Sequence, residues 1–315
     1  MNALQQEYHD ALSGMQSRSI LVIGDMVADI YLDGRISRIS REAPVLVLEQ
    51  AGEKVVAGGA ANVVNNIATL GGKVHAVGLV GSDKSADGLR AILAKNGADV
   101  RGLIADDSRP TISKTRIIAG GRATVSQQIV RIDRESKAPM APAVEAELRA
   151  YIKSILPTVE GVVISDYGSG TVTEGLQTLL IDYCRAHDIP SIVDSRYAVR
   201  RFHGIGYVKQ NDAEIAAAKG VLVTRGELGM VLVEHGAVHE IPVSDKSEVF
   251  DVSGAGDTCV AAVILALAAG IAPATAARLS NIASGIAVRK LGTSTVSVRE
   301  LAAAIEKSRE EYTSK

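Results

Sequence analysis

The fold can be read from Arg18-Ser-Ile-Leu-Val-Ile-Gly-Asp25. This short, continuous apolar run ends in Gly-Asp, which is typical of a strand that is buried on both faces and opens into a loop at its carboxyl end. The same pattern, several times with a polar residue at its end, recurs at 73–80, 161–166, 190–194, 206–211 and 220–224. We therefore expect a set of buried strands, and ligands in such sheets bind at the carboxyl edge.

Helical patterns separate these strands. Apolar residues recur at helical spacing most clearly at 60–70, 86–95, 144–155, 173–187, 256–269 and 274–290. The alternation of strand and helix predicts an α/β fold with a doubly wound, mostly parallel sheet. The length allows one or two domains, and we expect a single domain over 1–315.

Two segments, 30–50 and 111–134, break this alternation. They carry hairpin-like stretches such as Pro44-Val-Leu-Val-Leu-Glu49, with no helix between them. Because these segments flank the first strands, they predict a small antiparallel β lid over the carboxyl edge of the sheet. The lid contains the basic residues Arg35, Arg38, Arg41, Lys114 and Arg116. These residues form either a positive face for a phosphorylated substrate or a solvated surface.

The connection from Asn211 to Gly220 is short. Adjacent parallel strands need a crossover of about a dozen residues or more, and fewer are present here. Either the two strands are not parallel neighbours, or residues are missing between Glu214 and Val221. We expect the second.

Composition and charge limit the classes of function. The chain has 315 residues, 47% hydrophobic and 22% charged, with 34 Lys and Arg against 36 Asp and Glu. This composition excludes a disordered chain, a collagen-like chain and a bare coiled coil. The net charge of −2 and the absence of a long basic run argue against nucleic acid or a membrane as partner. We expect a small-molecule ligand.

The sequence favours a cytoplasmic protein. Residues 1–17 have no basic region followed by an apolar stretch, so no secretory signal is predicted. The longest apolar run, 259–272, is shorter than the ~20 residues that cross a bilayer, and we interpret it as a buried core helix. Two cysteines, Cys184 and Cys259, are too few for a disulfide framework in a chain of this length.

The strongest chemical motif is Asp251-Val-Ser-Gly-Ala-Gly-Asp-Thr258, which leads directly into an Ala-rich helix. The small residues Gly254, Ala255 and Gly256 allow close approach of the backbone to a ligand, and a helix N-terminus favours an anion. Asp257 then lies in the first turn, where its carboxylate could accept a hydroxyl proton beside a phosphoryl group. The alternative is that Asp257 only caps the helix.

A second motif, 56–71, combines a glycine pair, an amphipathic helix and a terminal glycine. The backbone N–H groups of Gly58 and Gly59 could approach a hydroxylated ligand, and Asn62 offers both a donor and an acceptor to vicinal hydroxyls. The alternative is a loop followed by an ordinary core helix.

Further candidates lie at the ends of predicted strands. Asp25 and Asp29 could accept sugar hydroxyl protons, or they could lie in a solvated loop. Asn211-Asp-Ala-Glu214 could hold a hydrated Mg²⁺ and nucleotide phosphates. Thr224-Arg-Gly-Glu-Leu-Gly229 fits a nucleotide, and equally a hairpin turn before the next strand. The first strand is not followed by the G-x-G-x-x-G pattern of nicotinamide-dependent oxidoreductases, which argues against that class.

Together and in this order, these motifs resemble the ribokinase-like (PfkB) family of carbohydrate kinases over nearly the whole chain. Five further stretches are similar to the D-glycero-β-D-manno-heptose-7-phosphate kinases of lipopolysaccharide core synthesis. They are Gly24-Asp-Met-Val-Ala-Asp29, Ser37-Arg-Ile-Ser-Arg-Glu-Ala-Pro-Val45, Thr111-Ile-Ser-Lys-Thr-Arg116, Ser165-Asp-Tyr-Gly-Ser-Gly170 and Leu291-Gly-Thr-Ser-Thr-Val-Ser297.

The resemblance implies ATP-dependent phosphorylation of the anomeric hydroxyl of the heptose phosphate, giving the 1,7-bisphosphate. It implies that Asp257 is the catalytic base and that 254–256 form the anion hole. The sugar would be held by Asp25, Asp29, Gly58, Gly59, Asn62 and Lys114, with Arg38 and Arg41 on the lid. Asn211, Asp212, Ala213 and Glu214 would face the nucleotide, with Asn211 and Glu214 at Mg²⁺, and Thr224, Gly226 and Gly229 would face the adenosine. It also implies a homodimer that pairs through the lid.

The chain departs from the heptose kinases at Ser169, where they tend to carry Lys. Many relatives also continue into a nucleotidyltransferase domain, whereas this sequence ends in the charged segment 299–315, so we expect only the kinase step. The alternatives are a ribokinase-like kinase for ribose, fructose 6-phosphate or another sugar phosphate, and a non-catalytic sugar or nucleotide sensor.

Overall fold

A computed structural model describes residues 3–120, 126–210, 218–243 and 249–313. The strands are β1 (Ser19–Gly24), β2 (Met26–Ile39), β3 (Leu46–Gly59), β4 (Lys73–Val80), β5 (Asp99–Ala105), β6 (Ile112–Gly120), β7 (Gln127–Arg134), β8 (Gly161–Asp166), β9 (Ser191–Ser195), β10 (Tyr207–Gln210), β11 (Gly220–Thr224), β12 (Met230–Glu234) and β13 (Ala237–Ile241). The helices are α1 (Ala3–Met15), α2 (Ala60–Thr69), α3 (Lys84–Lys95), α4 (Pro142–Ile155), α5 (Glu174–Ala186), α6 (Ala255–Ala268), α7 (Pro273–Ala287) and α8 (Val298–Thr313).

The main sheet has the strand order β13-β12-β11-β10-β9-β8-β1-β4-β5. The strands from β11 to β5 are parallel, and β12 and β13 run antiparallel at one edge. The predicted doubly wound, mostly parallel sheet is therefore confirmed. The chain leaves β1 toward β4 and β5 and returns to β8 on the other side of β1, so the strand order reverses between β1 and β8. Ligands bind at such a reversal.

Each central strand contributes to two cores. Ile20 and Val22 of β1 face one side, where they pack with residues of α2, α6, α7 and α8. Leu21 and Ile23 face the other side, where they pack with residues of α4 and α5. This period-two alternation, with both sets fully buried, explains why β1 reads as a continuous apolar run.

A smaller sheet forms the lid, with the order β3-β2-β6-β7. The pairs β2–β3 and β6–β7 are antiparallel, as predicted, while β2 and β6 in the centre are parallel. The lid starts immediately after β1, because only Asp25 separates Gly24 from Met26. Its root therefore lies at the carboxyl edge of the main sheet.

Strands β10 and β11 are parallel neighbours, which excludes the first explanation for their short connection. The expected gap between Glu214 and Val221 concerns residues 211–217, which lie outside the described residues, and it stays a prediction.

The apolar run at 259–272 belongs to a buried helix, as predicted. Most of α6 from Cys259 to Ala266 has no solvent-exposed surface. Within the described ranges, none of the helices combines the length and hydropathy required to cross a membrane.

Candidate active site

The N-terminus of α6 carries the strongest predicted motif. Gly254 is the N-cap residue, with a left-handed φ of 79°, and no side chain caps the helix. The N–H of Ala255 donates to the carbonyl of Val252 at 3.3 Å, whereas the N–H groups of Gly256 and Asp257 have no backbone acceptor among the described residues and are available to an anion. The helix starts at Ala255, one residue earlier than predicted.

Glycine is required on both sides of Ala255 by close contacts. A Cβ at Gly254 would lie 2.6 Å from Nδ2 of Asn62, and a Cβ at Gly256 would lie 2.6 Å from Nζ of Lys209. Both contacts are shorter than a side chain tolerates. The cradle thus lies directly against two side chains that come from other elements.

Asp257 lies in this first turn and is 5% exposed. Its Oδ2 accepts a hydrogen bond from Nδ2 of Asn62 at 2.8 Å, and its Oδ1 accepts one from the hydroxyl of Tyr167 at 3.1 Å. The alternative that Asp257 only caps α6 is wrong, because its side chain makes these contacts and no cap bond. Burial raises the pKa of Asp257 to about 6.

Asn62 is buried on the first turn of α2, which follows the strained glycine Gly59 with φ 53° and ψ −136°. Nδ2 of Asn66, one turn later, donates to Oδ1 of Asn62 at 3.2 Å and fixes the orientation of its amide. Both polar atoms of Asn62 therefore have partners inside the protein. This arrangement makes Asn62 a holder of Asp257, and its contact with sugar hydroxyls stays a prediction.

Lys209 and Asp194 form a partly buried ion pair beside Gly256, and the sequence analysis missed both. Nζ of Lys209, which is 3% exposed, donates to Oδ2 of Asp194 at 2.9 Å. Burial alone would lower the pKa of Lys209, but the charge of Asp194 raises it above its usual value. The only sequence signal was the polar end of the strand at Asp194.

Asp25 has a structural role that the sequence did not predict. Its carboxylate accepts hydrogen bonds from the backbone N–H groups of Tyr167, Ser169 and Thr171 at 2.8, 3.1 and 3.3 Å. Asp25 is fully buried, and burial raises its pKa. The solvated-loop alternative is thus wrong. The contacts give Asp25 the role of holding the loop after β8.

The lid presents a charged face to the site. Asp29 pairs with Arg116, whose Nη1 lies 2.5 Å from Oδ1 of Asp29. Arg116 also lies over the ring of Tyr31, at 5.4 Å from the ring centroid, and Lys114 lies over the ring of Tyr167 at 5.6 Å. Among the described residues no carboxylate pairs with Lys114. Asp29 and Lys114 are directly opposite each other on the paired strands β2 and β6.

The predicted glycine pair has a packing explanation. A Cβ at Gly58 would lie 2.5 Å from Oδ2 of Asp29, and a Cβ at Gly59 would lie 3.4 Å from Cε2 of Tyr167. Each glycine therefore leaves room for a side chain of the site.

Arg38 and Arg41 do not belong to this site within one chain. Both are exposed near the tip of the β2–β3 hairpin. Arg38 follows Asp29 by nine residues of strand, a distance on the order of 30 Å. Within one chain β2 carries both arginines away from the main sheet, and their contact with substrate stays a prediction.

The predicted nucleotide side is only partly described. Thr224 ends β11, and its hydroxyl donates to the carbonyl of Gln210 at 3.3 Å. Gly226 and Gly229, with φ of 56° and 82°, form the turn into the antiparallel strand β12. This agrees with the hairpin alternative. Residues 211–214 lie outside the described residues, and in the rest no group of three His, Cys, Asp or Glu could hold a metal ion.

Comparison with known proteins gives one family. The profile of the pfkB family carbohydrate kinases matches residues 17–300. The bifunctional protein HldE of Citrifermentans bemidjiense is 41% identical, in a match that covers 90% of this chain and 63% of the relative. HldE of Azorhizobium caulinodans is 39% identical over 94% of this chain and 66% of the relative. The chain thus spans just under two thirds of the length of these relatives.

Solved structures with the same fold are less similar in sequence. The ribokinase of Arabidopsis thaliana, solved with ribose and ATP, has a TM-score of 0.67 at 16% identity, covering 92% of this chain and 99% of that one. Phosphofructokinase-2 of Escherichia coli, solved with substrates and products, has a TM-score of 0.71 at 20% identity, covering 93% and 99%. These likenesses concern the fold. With the family profile matching nine tenths of its length and its core motifs gathered around Asp257, the chain belongs to the pfkB family of carbohydrate kinases.

Proposed function

We propose that this chain transfers the terminal phosphoryl group of ATP to the anomeric hydroxyl of D-glycero-β-D-manno-heptose 7-phosphate. The observation that carries the proposal is the position of Asp257, a buried carboxylate in the first turn of α6 with both oxygens held by neutral donors. A base and an anion cradle within one helical turn are what transfer of a phosphoryl group to a hydroxyl requires.

The chemistry follows from this geometry. Asp257 accepts the proton of the attacking hydroxyl, and the hydroxyl oxygen attacks the terminal phosphorus in line with the departing ADP oxygen. The N–H groups of Gly256 and Asp257 donate to the phosphoryl oxygens, where negative charge is concentrated. Nζ of Lys209 lies beside Gly256 at the same turn, in its ion pair with Asp194. Closure of the lid excludes water, which would otherwise compete as acceptor.

The cradle fits the phosphates of a nucleotide, since glycine at 254 and 256 leaves the space that a Cβ would fill. We assign Asn211, Asp212, Ala213 and Glu214 to the nucleotide phosphates, with Asn211 and Glu214 at Mg²⁺, and Thr224, Gly226 and Gly229 to the adenosine. These assignments rest on the family motifs. Bound Mg²⁺ would neutralise phosphate charge, and it usually takes one or two protein ligands beside phosphates and water.

Two features support a phosphorylated sugar as acceptor. Lys114 and Arg116 lie on the lid face above the site, and Lys114 has no carboxylate partner among the described residues. The stretches 24–29, 37–45, 111–116, 165–170 and 291–297 support the heptose kinases within the family. We assign Asp29, Gly58, Gly59 and Lys114 to the sugar phosphate, with Asp25 and Asn62 holding the residues around it.

We also propose a homodimer that pairs through the lid. Val130 and Ile132 of β7 are 45% and 55% exposed. The strand register aligns Val130 with Ile117 and Leu32, so these residues share one apolar face of the lid. An apolar face of this kind on a soluble sheet marks an interaction surface.

The test is ADP release by the wild-type chain with Mg-ATP and, in turn, the heptose 7-phosphate, fructose 6-phosphate and ribose. We expect turnover with the heptose phosphate alone. Turnover with another sugar would support kinase activity but contradict the heptose phosphate as its acceptor. Absence of turnover with all three would favour a sugar or nucleotide sensor.

A further inference from the structure

Tyr167 contacts the proposed base, and neither the family motifs nor the sequence pattern assigns it a role. It follows β8 in the loop that begins at the carboxyl edge of the sheet. Its hydroxyl donates to Oδ1 of Asp257 at 3.1 Å, while Asn62 occupies Oδ2. The carboxylate is thereby held at both oxygens, which fixes its rotation.

Tyr167 is itself held from three further directions. Its backbone N–H donates to Oδ2 of the buried Asp25 at 2.8 Å. Its ring lies beside Gly59, where a Cβ would be 3.4 Å from Cε2 of Tyr167. Nζ of Lys114, on the lid, lies 5.6 Å from the ring centroid. The main sheet, the start of α2 and the lid therefore all determine where this hydroxyl lies.

We propose that Tyr167 is a positioning residue for phosphoryl transfer: its hydroxyl holds Oδ1 of Asp257, and Lys114 links this contact to the lid. The inference rests on the proposed function, in which Asp257 is the base. It adds a residue that orients the base without touching the reacting atoms.

Other charged groups also influence the pKa of Asp257, and Tyr167→Phe leaves them in place. Asp194 of β9 raises the pKa of Asp257, whereas Lys209 of β10 lowers it. The positive charge of Arg196, which follows β9, lowers the pKa of Tyr167. The negative charge of Asp257 raises the pKa of Tyr167 well above its usual value, so the phenol remains a donor at neutral pH. Its hydrogen bond stabilises the charged form of Asp257 and lowers the pKa of that carboxyl.

The test is the Tyr167→Phe variant, which keeps the ring under Lys114 and removes only the hydroxyl. We expect kcat to fall roughly ten- to a hundredfold, with little change in the KM for the sugar. The acid limb of the profile of kcat/KM against pH should move up by about one unit, because the carboxylate has lost a donor. Tyr183→Phe, whose ring stacks on His187 away from the site, is the matched control and should change neither quantity.

A second readout does not depend on turnover. The carboxyl ¹³C signal of Asp257, identified by its loss in Asp257→Asn, should titrate about one unit higher in Tyr167→Phe than in the wild type. An unchanged titration together with kcat within twofold of the wild type would overturn the inference. A shifted titration in a protein that phosphorylates no sugar would support the contact between Tyr167 and Asp257 but reject the proposed function. A failure of this inference can therefore be distinguished from a failure of the proposed function.

Discussion

Asp257 experiences two opposing influences on its charge. Burial disfavours the carboxylate, while the donors Asn62 and Tyr167 favour it. Burial is the larger effect, and the pKa rises to about 6. The carboxylate is therefore mostly ionised at neutral pH, yet it is a stronger base than an exposed aspartate. This combination suits a general base working near pH 7.

A pH dependence follows for the free enzyme. Protonated Asp257 cannot accept the hydroxyl proton, so kcat/KM should fall tenfold per pH unit below about pH 6 and be constant above it. The measurement is kcat/KM for the sugar phosphate between pH 5 and 8.5, with the phosphate pKa of the substrate determined separately. An acid limb near pH 4, the ordinary range of aspartate, would contradict the assignment of the base.

Asp25 should contribute mainly to stability. Asp25→Ala leaves the N–H groups of Tyr167, Ser169 and Thr171 without their acceptor, and we expect a loss of about 1–3 kcal/mol in the free energy of unfolding. Urea denaturation measures this loss. Asp33→Ala removes an exposed carboxylate of the lid and should change stability by less than about 0.5 kcal/mol. Equal stability of both variants would refute the structural role.

At the scale of elements, the start of α6 depends on a glycine that combines two requirements. Gly254 has a left-handed φ of 79°, and its missing side chain leaves room for Nδ2 of Asn62. Gly270, just beyond the same helix, has a φ of 75° with no atom within 4 Å of a Cβ. A side chain would therefore strain the backbone at both positions, but only at Gly254 would it also collide with Asn62.

The pair Gly254→Ala and Gly270→Ala separates strain from contact. Each should lose about 1 kcal/mol or more of stability through the unfavourable φ. Only Gly254→Ala should also lower kcat, by a factor on the order of ten or more, because it displaces Asn62 from Asp257. Thermal unfolding of both variants measures the loss of stability, and steady-state kinetics measures the change in kcat. Equal kcat values would show that the cradle tolerates a methyl group.

The strands that form short, continuous apolar runs could be predicted from the sequence. Strands 73–80, 161–166 and 220–224 have the predicted bounds, because each is a short apolar run buried on both faces. The motif at 251–258 likewise predicted the start of α6. Helix α1 and strands β5 and β13 were not predicted, because charged or polar residues such as Glu7, Arg101 and His239 interrupt their apolar positions.

The contacts of the site could be predicted less well than its motifs. Asp194, Lys209 and Tyr167 come from the ends of separate strands, and only the strand order of the sheet brings them to Asp257. Asn62 was recognised as a site residue, but its partner lies 195 positions away. Spacing along the chain carries no information on such a contact. The distance of Arg38 and Arg41 from the main sheet could not be predicted either, because it depends on the length of β2.

At the scale of the whole molecule, topology explains why the site and the lid meet. The strand order reverses between β1 and β8, and the lid leaves β1 at that edge. One lid face carries Asp29, Lys114 and Arg116 toward the site. The opposite face carries the apolar residues of β7. The alternation of side chains along a strand gives the lid these two functions.

The apolar lid face should hold two copies of the chain together. We expect the double variant Val130→Asp and Ile132→Asp to be monomeric where the wild type is dimeric, because each charge would be buried in the contact. Light scattering after size-exclusion chromatography measures the mass. Val238→Asp, at a 63% exposed position on the edge strand β13, is the control for the change in charge. A dimer that survives the double variant would exclude the lid as interface.

The central claim is that Asp257 is the base of a kinase, and the Asp257→Asn variant tests it most directly. The measurement is the initial rate of ADP formation at saturating Mg-ATP and heptose 7-phosphate, with nucleotide binding followed by calorimetry. Asparagine keeps the shape of the side chain and cannot take the proton. We predict a rate lower by a factor on the order of 10² to 10⁴ with binding retained. A rate within a few-fold of the wild type would contradict the account.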